Sequence, residues 1–233
     1  MSEVSPAGRV MLGLESMDPA LEPLRRSPRL PAIATELAGF VEQEAQRRQR
    51  FYDEMNEEQK TEFINGEVIV QSPAKARHLD ATKRLTILLN THVEVHRRGR
   101  VFTEKALVCL TRNDYEPDIV FFGIDKAAQI QPGQMKFPVP DFVVEVLSPS
   151  TEERDRGIKF EDYAQHGVAE YWIIDADAEV VEQYVLGGSS AYELRVRKDD
   201  GELHSVAVSG FTIPVRAIFD DDENLRALRT ILA

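Results

Sequence analysis

Residues 140–175 read PDFVVEVLSPSTEERDRGIKFEDYAQHGVAEYWIID. From Phe142 to Leu147, apolar residues fill both alternate and intervening positions, so both faces of this strand are expected to be buried. Tyr171–Asp175 has the same pattern. Between them a helix is expected from Ser150, where Ser150 and Glu153 have capping-box spacing. Gly167, past the last periodic residue, suits its C-terminal stop. Two doubly buried strands joined by a helix make this an α/β protein.

Glu145 interrupts the first of these strands. Alternation puts it on the same face as Val143 and Leu147. An ionised carboxylate there costs several kcal/mol unless a metal, a cation or a proton compensates it. Asp118 opens another strand-like run, Pro117–Phe122, where it makes the same demand; a strand-start Asp often serves only as a cap. Asp155, Lys159 and Tyr163 are spaced four apart and share one helix face. A helical Lys is usually solvated, and Asp155–Lys159 could be a simple surface pair. This helix, however, leaves the C-terminal end of the Glu145 strand after a short link, where ligands of open α/β sheets tend to bind. Two carboxylates with a lysine suit a hard divalent cation, Mg²⁺ with Mn²⁺ as its substitute. Such a cation activates water and offsets phosphodiester charge.

Working outward, Ile33, Leu37, Phe40, Val41 and Glu44 have helical spacing, and this amphipathic helix is expected to pack. Asn65-Gly66 signals a hairpin between Glu62–Ile64 and Glu67–Val70. A helix is expected over Ala76–Arg97, ended by Gly99, then a strand from Val101 to Leu110. Residues 127–138 read as a loop. Val180–Leu186, Tyr192–Arg197 and Leu203–Val208 read as antiparallel strands. The domain reading is an N-terminal extension (1–50), a central domain (51–220) and a C-terminal tail (221–233), with residues 1 to about 30 loosely ordered.

The 233 residues suit one α/β domain with an extension. The net charge of −12 argues against a surface that binds nucleic acid everywhere. Phosphate contacts would need local patches, such as Lys75–Arg77, Lys83–Arg84 or His96–Arg100. The single cysteine, Cys109, excludes an internal disulfide and a Cys-rich zinc site. No run approaches the roughly 20 apolar residues of a membrane helix, and a cytoplasmic location with no membrane partner is expected. No organic cofactor motif is present.

The 140–175 block, Tyr115-Glu116-Pro117-Asp118, and Lys60–Glu67 followed by Ser72-Pro73 and His78 together resemble the Uma2 family, a bacterial branch of the PD-(D/E)xK nuclease superfamily. The resemblance covers roughly residues 50–220. It implies a restriction-endonuclease-like fold: a four-stranded mixed β-sheet flanked by helices, here with additional C-terminal antiparallel strands. It implies Asp118 and Glu145 as metal ligands, with Lys159 completing the catalytic set. Glu62 matches an acidic residue near the metal site, although an exposed hairpin residue would look the same. His78, at a helix start, is a lesser candidate; such a His is more often at the surface. The chain departs from the motif at Leu147, where the lysine should stand. Lys159 would replace it from the following helix, oriented by Asp155 and Tyr163.

The functional expectation is an Mg²⁺-dependent endonuclease acting on DNA, with a homodimer suited to cutting both strands. A nuclease-like module that binds or assembles without catalysis, and a metal-dependent hydrolase of another phosphoester, remain open.

Overall fold

The structure is a computed structural model describing residues 21–56 and 58–233; the expectation for residues 1–20 lies outside it. The chain divides into two compact units, residues 1–47 and 48–233. The first holds α1 (Glu22–Arg25) and the start of α2 (Leu30–Glu54). The helical spacing from Ile33 is realised, with Leu37 and Val41 more than half exposed. Periodicity identifies which residues share a face, not what covers it.

The second unit opens with a hairpin of β1 (Thr61–Ile64) and β2 (Glu67–Val70). Asn65 and Gly66 take φ values of 52° and 85°, the positive pair that a type I′ turn requires. The next helix, α3 (Ala76–His96), is closed by Arg97 in the left-handed region, not by Gly99. Gly99 instead opens β3 (Gly99–Thr103), where an added Cβ would lie 2.0 Å from the Phe122 carbonyl oxygen. The single strand expected over 101–110 is two. Glu104, at φ 66°, turns the chain, and β4 (Leu107–Cys109) joins a different sheet.

The chain continues through β5 (Asp114–Tyr115), β6 (Ile119–Gly123), α4 (Ile124–Ala127), β7 (Lys136–Phe137) and β8 (Phe142–Val146). Then come α5 (Glu152–Arg156), α6 (Ile158–Gln165), β9 (Glu170–Asp175), β10 (Val180–Leu186), β11 (Tyr192–Lys198), β12 (Glu202–His204), β13 (Thr212–Pro214) and α7 (Asp221–Leu232). Among the described residues, the central sheet has the order β11-β10-β9-β8-β6-β3, and β1, β2, β4, β5 and β7 form a second sheet. In the central sheet β8 and β9 are parallel while β6 runs antiparallel to β8, so the sheet is mixed. The strands β10 and β11 are the C-terminal antiparallel extension.

Alternation along β6 and β8 divides the core. Ile119, Phe121, Phe142, Val144 and Val146 pack with Leu85, Leu88, Leu89 and Val93 of α3. Val120, Phe122 and Val143 face the other side, with Tyr163 of α6, Tyr171 and Ile173. Each fully buried Leu or Phe contributes about 1.5–3 kcal/mol relative to exposure. Glu145 shares the parity of Val143 and therefore points toward the α6 side.

Residues 221–233, expected as a tail, are mostly helix. Asp220 caps α7 by accepting the Glu223 N–H at 2.9 Å, and Asn224 and Ala227 are buried. Their period of 3.6, carried by Ala227, Leu228 and Ile231, joins α7 to the α3 side of the core. The strand expected over Leu203–Val208 shortens to β12, which pairs with β13. The reason is buried Glu170. Its Oε2 accepts the Val206 and Ala207 N–H groups, each at 2.8 Å, and the Ser205 hydroxyl at 2.6 Å. Those amides therefore bind a carboxylate rather than a ladder. Glu170 Oε1 accepts from Trp172 Nε1 and Gln183 Nε2, both at 2.6 Å. Glu170→Gln turns one acceptor into a donor facing donors and is expected to destabilise by about 2 kcal/mol, read by urea denaturation. No helix among the described residues is long and apolar enough to cross a membrane.

Candidate active site

The β6–β8 register pairs Ile119 with Val144. Continuing it by one residue brings Asp118 level with Glu145. Asp118 precedes the strand, and its Oδ2 accepts the Val146 N–H at 2.8 Å, which fixes the carboxylate against β8. Its Oδ1 lies 3.0 Å from Lys60 Nζ and 3.4 Å from His78 Nε2. Lys60 Nζ also lies 3.3 Å from Glu104 Oε2. The turn at Glu104 that breaks the expected strand is tied to the site, since its N–H donates to the Asp118 carbonyl at 3.1 Å.

Glu145 is buried and meets Lys159 and Tyr163. Its Oε1 accepts from Lys159 Nζ at 3.0 Å and from the Tyr163 hydroxyl at 3.1 Å. Lys159 is 1% exposed. It also lies 2.9 Å from Glu62 Oε1 and 3.2 Å from Asp155 Oδ1. Glu62 is thus fully buried, not an exposed hairpin residue. It also accepts the Glu116 N–H at 3.0 Å, which ties the hairpin to the Asp118 segment. The helix that delivers these groups is not the continuous one expected. It breaks at Gly157, where a Cβ would meet the Glu153 carbonyl oxygen at 2.7 Å. The Ser150–Glu153 capping box does not form either, because α5 begins without a side-chain cap. Thr151 Oγ1 instead accepts the Ser148 N–H at 3.2 Å and bonds the Ser148 hydroxyl at 3.0 Å.

The electrostatics separate the two central carboxylates. Burial would raise Asp118, but the His78 hydrogen bond and the Lys60 charge outweigh it and hold the group well below the usual range. Burial drives Glu145 well above its ordinary value, and Lys159 only partly opposes this. Burial pulls His78 down, yet its bond to Asp118 leaves it raised. Such opposed shifts in one cleft are typical of functional sites. The cleft has a volume of about 650 Å³, and Lys60, His78, Glu104, Glu116, Asp118, Glu145 and Lys159 line it.

All seven residues selected from the sequence therefore gather here, either lining the cleft or bonded to a residue that does. Lys60, Glu104 and Glu116 were not selected. Glu104 carried a weak signal, the charged pair Glu104-Lys105 within a strand-like run. Lys60 and Glu116 stood in quoted motifs, but only the fold shows what they face. Cys109 is half-buried, and burial pushes its thiol up to about 12, which disfavours the thiolate.

Glu116 carries its own pH signature. Burial pushes its carboxyl up to about 7 from 4.5, against the Thr61 N–H that donates to it at 2.6 Å. The folded state therefore holds this proton more tightly than the unfolded state. The stability from this group is complete below about pH 4.5 and is lost as pH rises through about 7. Glu116→Gln, which can still accept from Thr61, should flatten that decline and be more stable than wild type at pH 8, by roughly 3 kcal/mol at most. Denaturation from pH 4 to 8 reads this directly.

The residues also fit a divalent cation. Among the described residues, His78, Glu104 and Asp118 offer ligand atoms that all lie within 4.8 Å of one another. The buried His78 Nδ1 has no hydrogen-bond partner among the described residues. Five carboxylates (Glu62, Glu104, Asp118, Glu145, Asp155) meet two ammonium groups (Lys60, Lys159), a formal −5 + 2 = −3 with His78 neutral. Carboxylate oxygens suit Mg²⁺ or Mn²⁺, and an imidazole tilts the set toward a first-row metal. Glu145, expected beside Asp118 as a ligand, lies outside this trio.

A mixed sheet with a parallel β8–β9 pair, helices on its faces and acidic groups beside β8 defines the restriction-endonuclease-like class. A crystal structure of a "putative nuclease belonging to DUF820" from Anabaena variabilis has a TM-score of 0.62 at 21% identity, covering 72% of this chain and 94% of that one. Residues 44–216 match the family described as "Putative restriction endonuclease", and the chain belongs to that family, Uma2. The type IIG restriction endonuclease BpuSI is a more distant match, with a TM-score of 0.34 at 13% identity over 70% of this chain and 18% of that one. No curated protein matches.

Proposed function

We propose that the protein is a divalent-cation-dependent endonuclease that hydrolyses phosphodiester bonds in DNA. The observation that carries this reading is the convergence on one cleft of Asp118, held ionised, and buried Glu145 with Lys159. His78, Glu104 and Asp118 would hold the cation, Mg²⁺ or Mn²⁺, with Glu145 beside them. When bound, it would polarise the phosphodiester and lower the pKa of an attacking water. Lys159 keeps an ammonium at Glu145, where it can donate to developing negative charge. Asp155 and Tyr163 hold that arrangement in place. The family's description as restriction endonucleases makes DNA the substrate proposed.

Two of the basic patches offer less to a phosphate backbone than their sequence suggests. Arg77 pairs with Asp177 at 2.6 Å and Arg84 with Asp221 at 2.7 Å. Contacts would come from the cleft itself, which Lys60 and Lys75 line. Two chains related by a two-fold axis would supply one site for each strand.

The test is nicking of supercoiled plasmid with Mn²⁺, with Mg²⁺ and with a chelator, alongside Mn²⁺ calorimetry. Cation-dependent nicking that is lost in Glu145→Gln supports the reading. No cation binding at millimolar concentration, with or without duplex, overturns it. Turnover of simple phosphomonoesters without nicking would make the protein a hydrolase of another phosphoester, because the same residues serve both.

A further inference from the structure

The position of Lys60 has a consequence for loading the site. Its ammonium touches two of the three candidate cation ligands, Asp118 Oδ1 at 3.0 Å and Glu104 Oε2 at 3.3 Å. The third, His78 Nε2, approaches the same Asp118 oxygen at 3.4 Å. A divalent cation on these oxygens would sit about 2.0–2.2 Å from them, within a few ångström of the ammonium. Like charges that close repel strongly in a partly buried setting.

We propose that Lys60 is an internal counter-ion that occupies the cation's place and must swing away before the cation binds, so that it sets the affinity of the site. This rests on the cation site proposed above.

The way Lys60 is held favours movement of the side chain alone. Its carbonyl accepts the Gln71 N–H at 3.0 Å, which anchors the backbone to the hairpin. Its side chain is 19% exposed and lines the cleft, so the flexible stem has a route toward solvent. Lys159 has no such freedom, being buried among three carboxylates.

Two effects follow. Without a cation, Lys60 keeps Asp118 and Glu104 together and neutralises part of their charge, so the ligands are preorganised. With a cation, the displaced ammonium stays tethered in the cleft, where an anionic phosphate would meet it. Phosphate binding then favours the displaced state, and by linkage cation binding favours phosphate.

Mn²⁺ affinity, read from the EPR signal of free Mn²⁺, tests this with wild type, Lys60→Met and Lys60→Arg. The methionine variant should bind at least about tenfold more tightly than wild type, a typical size for such coupling, while the arginine variant stays close to it. If the methionine variant binds no tighter than wild type, Lys60 is not a competitor, although the cation site stands. If no variant binds Mn²⁺, both proposals fall.

Should the methionine variant fail to fold, amine labelling of the wild type followed by mass spectrometry decides. Labelling at Lys60 should rise severalfold on adding Mn²⁺, while Lys159 stays protected. Equal labelling of Lys60 with and without Mn²⁺ overturns the proposal.

Discussion

Under the proposed function, an Asp118→Asn chain is expected to fold, to lose divalent-cation binding and to cleave DNA about 10²–10³-fold more slowly, or worse. The fold should survive because the interaction that matters for packing can be kept. The buried Val146 N–H donates to Asp118 Oδ2 at 2.8 Å, and the asparagine side-chain oxygen can accept it. What the variant cannot keep is the charge. Asp118 is the carboxylate that His78 and Lys60 hold ionised, so it offers an anionic oxygen without first losing a proton. Replacing its Oδ1 with an amide nitrogen would also set a donor against Lys60 and His78. Mn²⁺ calorimetry, plasmid nicking and thermal melts together separate loss of the site from loss of the fold. A variant that nicks at the wild-type rate would remove Asp118 from the mechanism.

Lys159→Met is expected to have the largest effect on stability, about 3–5 kcal/mol at neutral pH, because removing one member of a buried ion group leaves the others uncompensated. The group here is lopsided: one ammonium lies within 3.2 Å of oxygens of Glu62, Glu145 and Asp155. The pH dependence identifies the cause. Burial already raises the Glu145 and Asp155 carboxyls, with Lys159 opposing the rise. Without Lys159 they rise further. Groups whose folded pKa lies above the unfolded value bring stability that is complete below the unfolded pKa and lost as pH climbs through the folded one. The deficit should therefore shrink toward pH 4 and widen above pH 6. Adding Glu145→Gln should recover part of it at pH 7. A deficit that does not change with pH would point to lost packing of the lysine stem instead of unpaired charge.

The central sheet was legible because its chemistry is local. Two doubly apolar runs around a glycine-ended helical segment leave few arrangements for it, and in the second sheet the Asn65-Gly66 pair dictates the β1–β2 turn. Glu145 announced itself for the same reason, as a charge that its own neighbours cannot solvate. Lys159, Asp155 and Tyr163 followed from helical spacing, even though the helix breaks at Gly157, between Asp155 and the other two. The break does not move them off the shared face.

Three of the errors concern partners that are distant in sequence. The strand expected over 101–110 looked continuous because nothing local reveals that the Glu104 N–H turns to meet the Asp118 carbonyl. Val206 and Ala207 looked like strand because their amides' true acceptor, Glu170, lies more than 35 residues earlier. The tail became α7 because α3 offers it a face.

By itself, then, the sequence determined the strand–helix–strand centre and the need for compensated carboxylates, since propensity, periodicity and the cost of burying charge act over a few residues. Only the tertiary structure decided which groups compensate them. It set Lys60 and His78 against Asp118, and Lys159 against Glu145, Glu62 and Asp155 together, because an ion pair depends on distance in space, which the order of residues along the chain does not record.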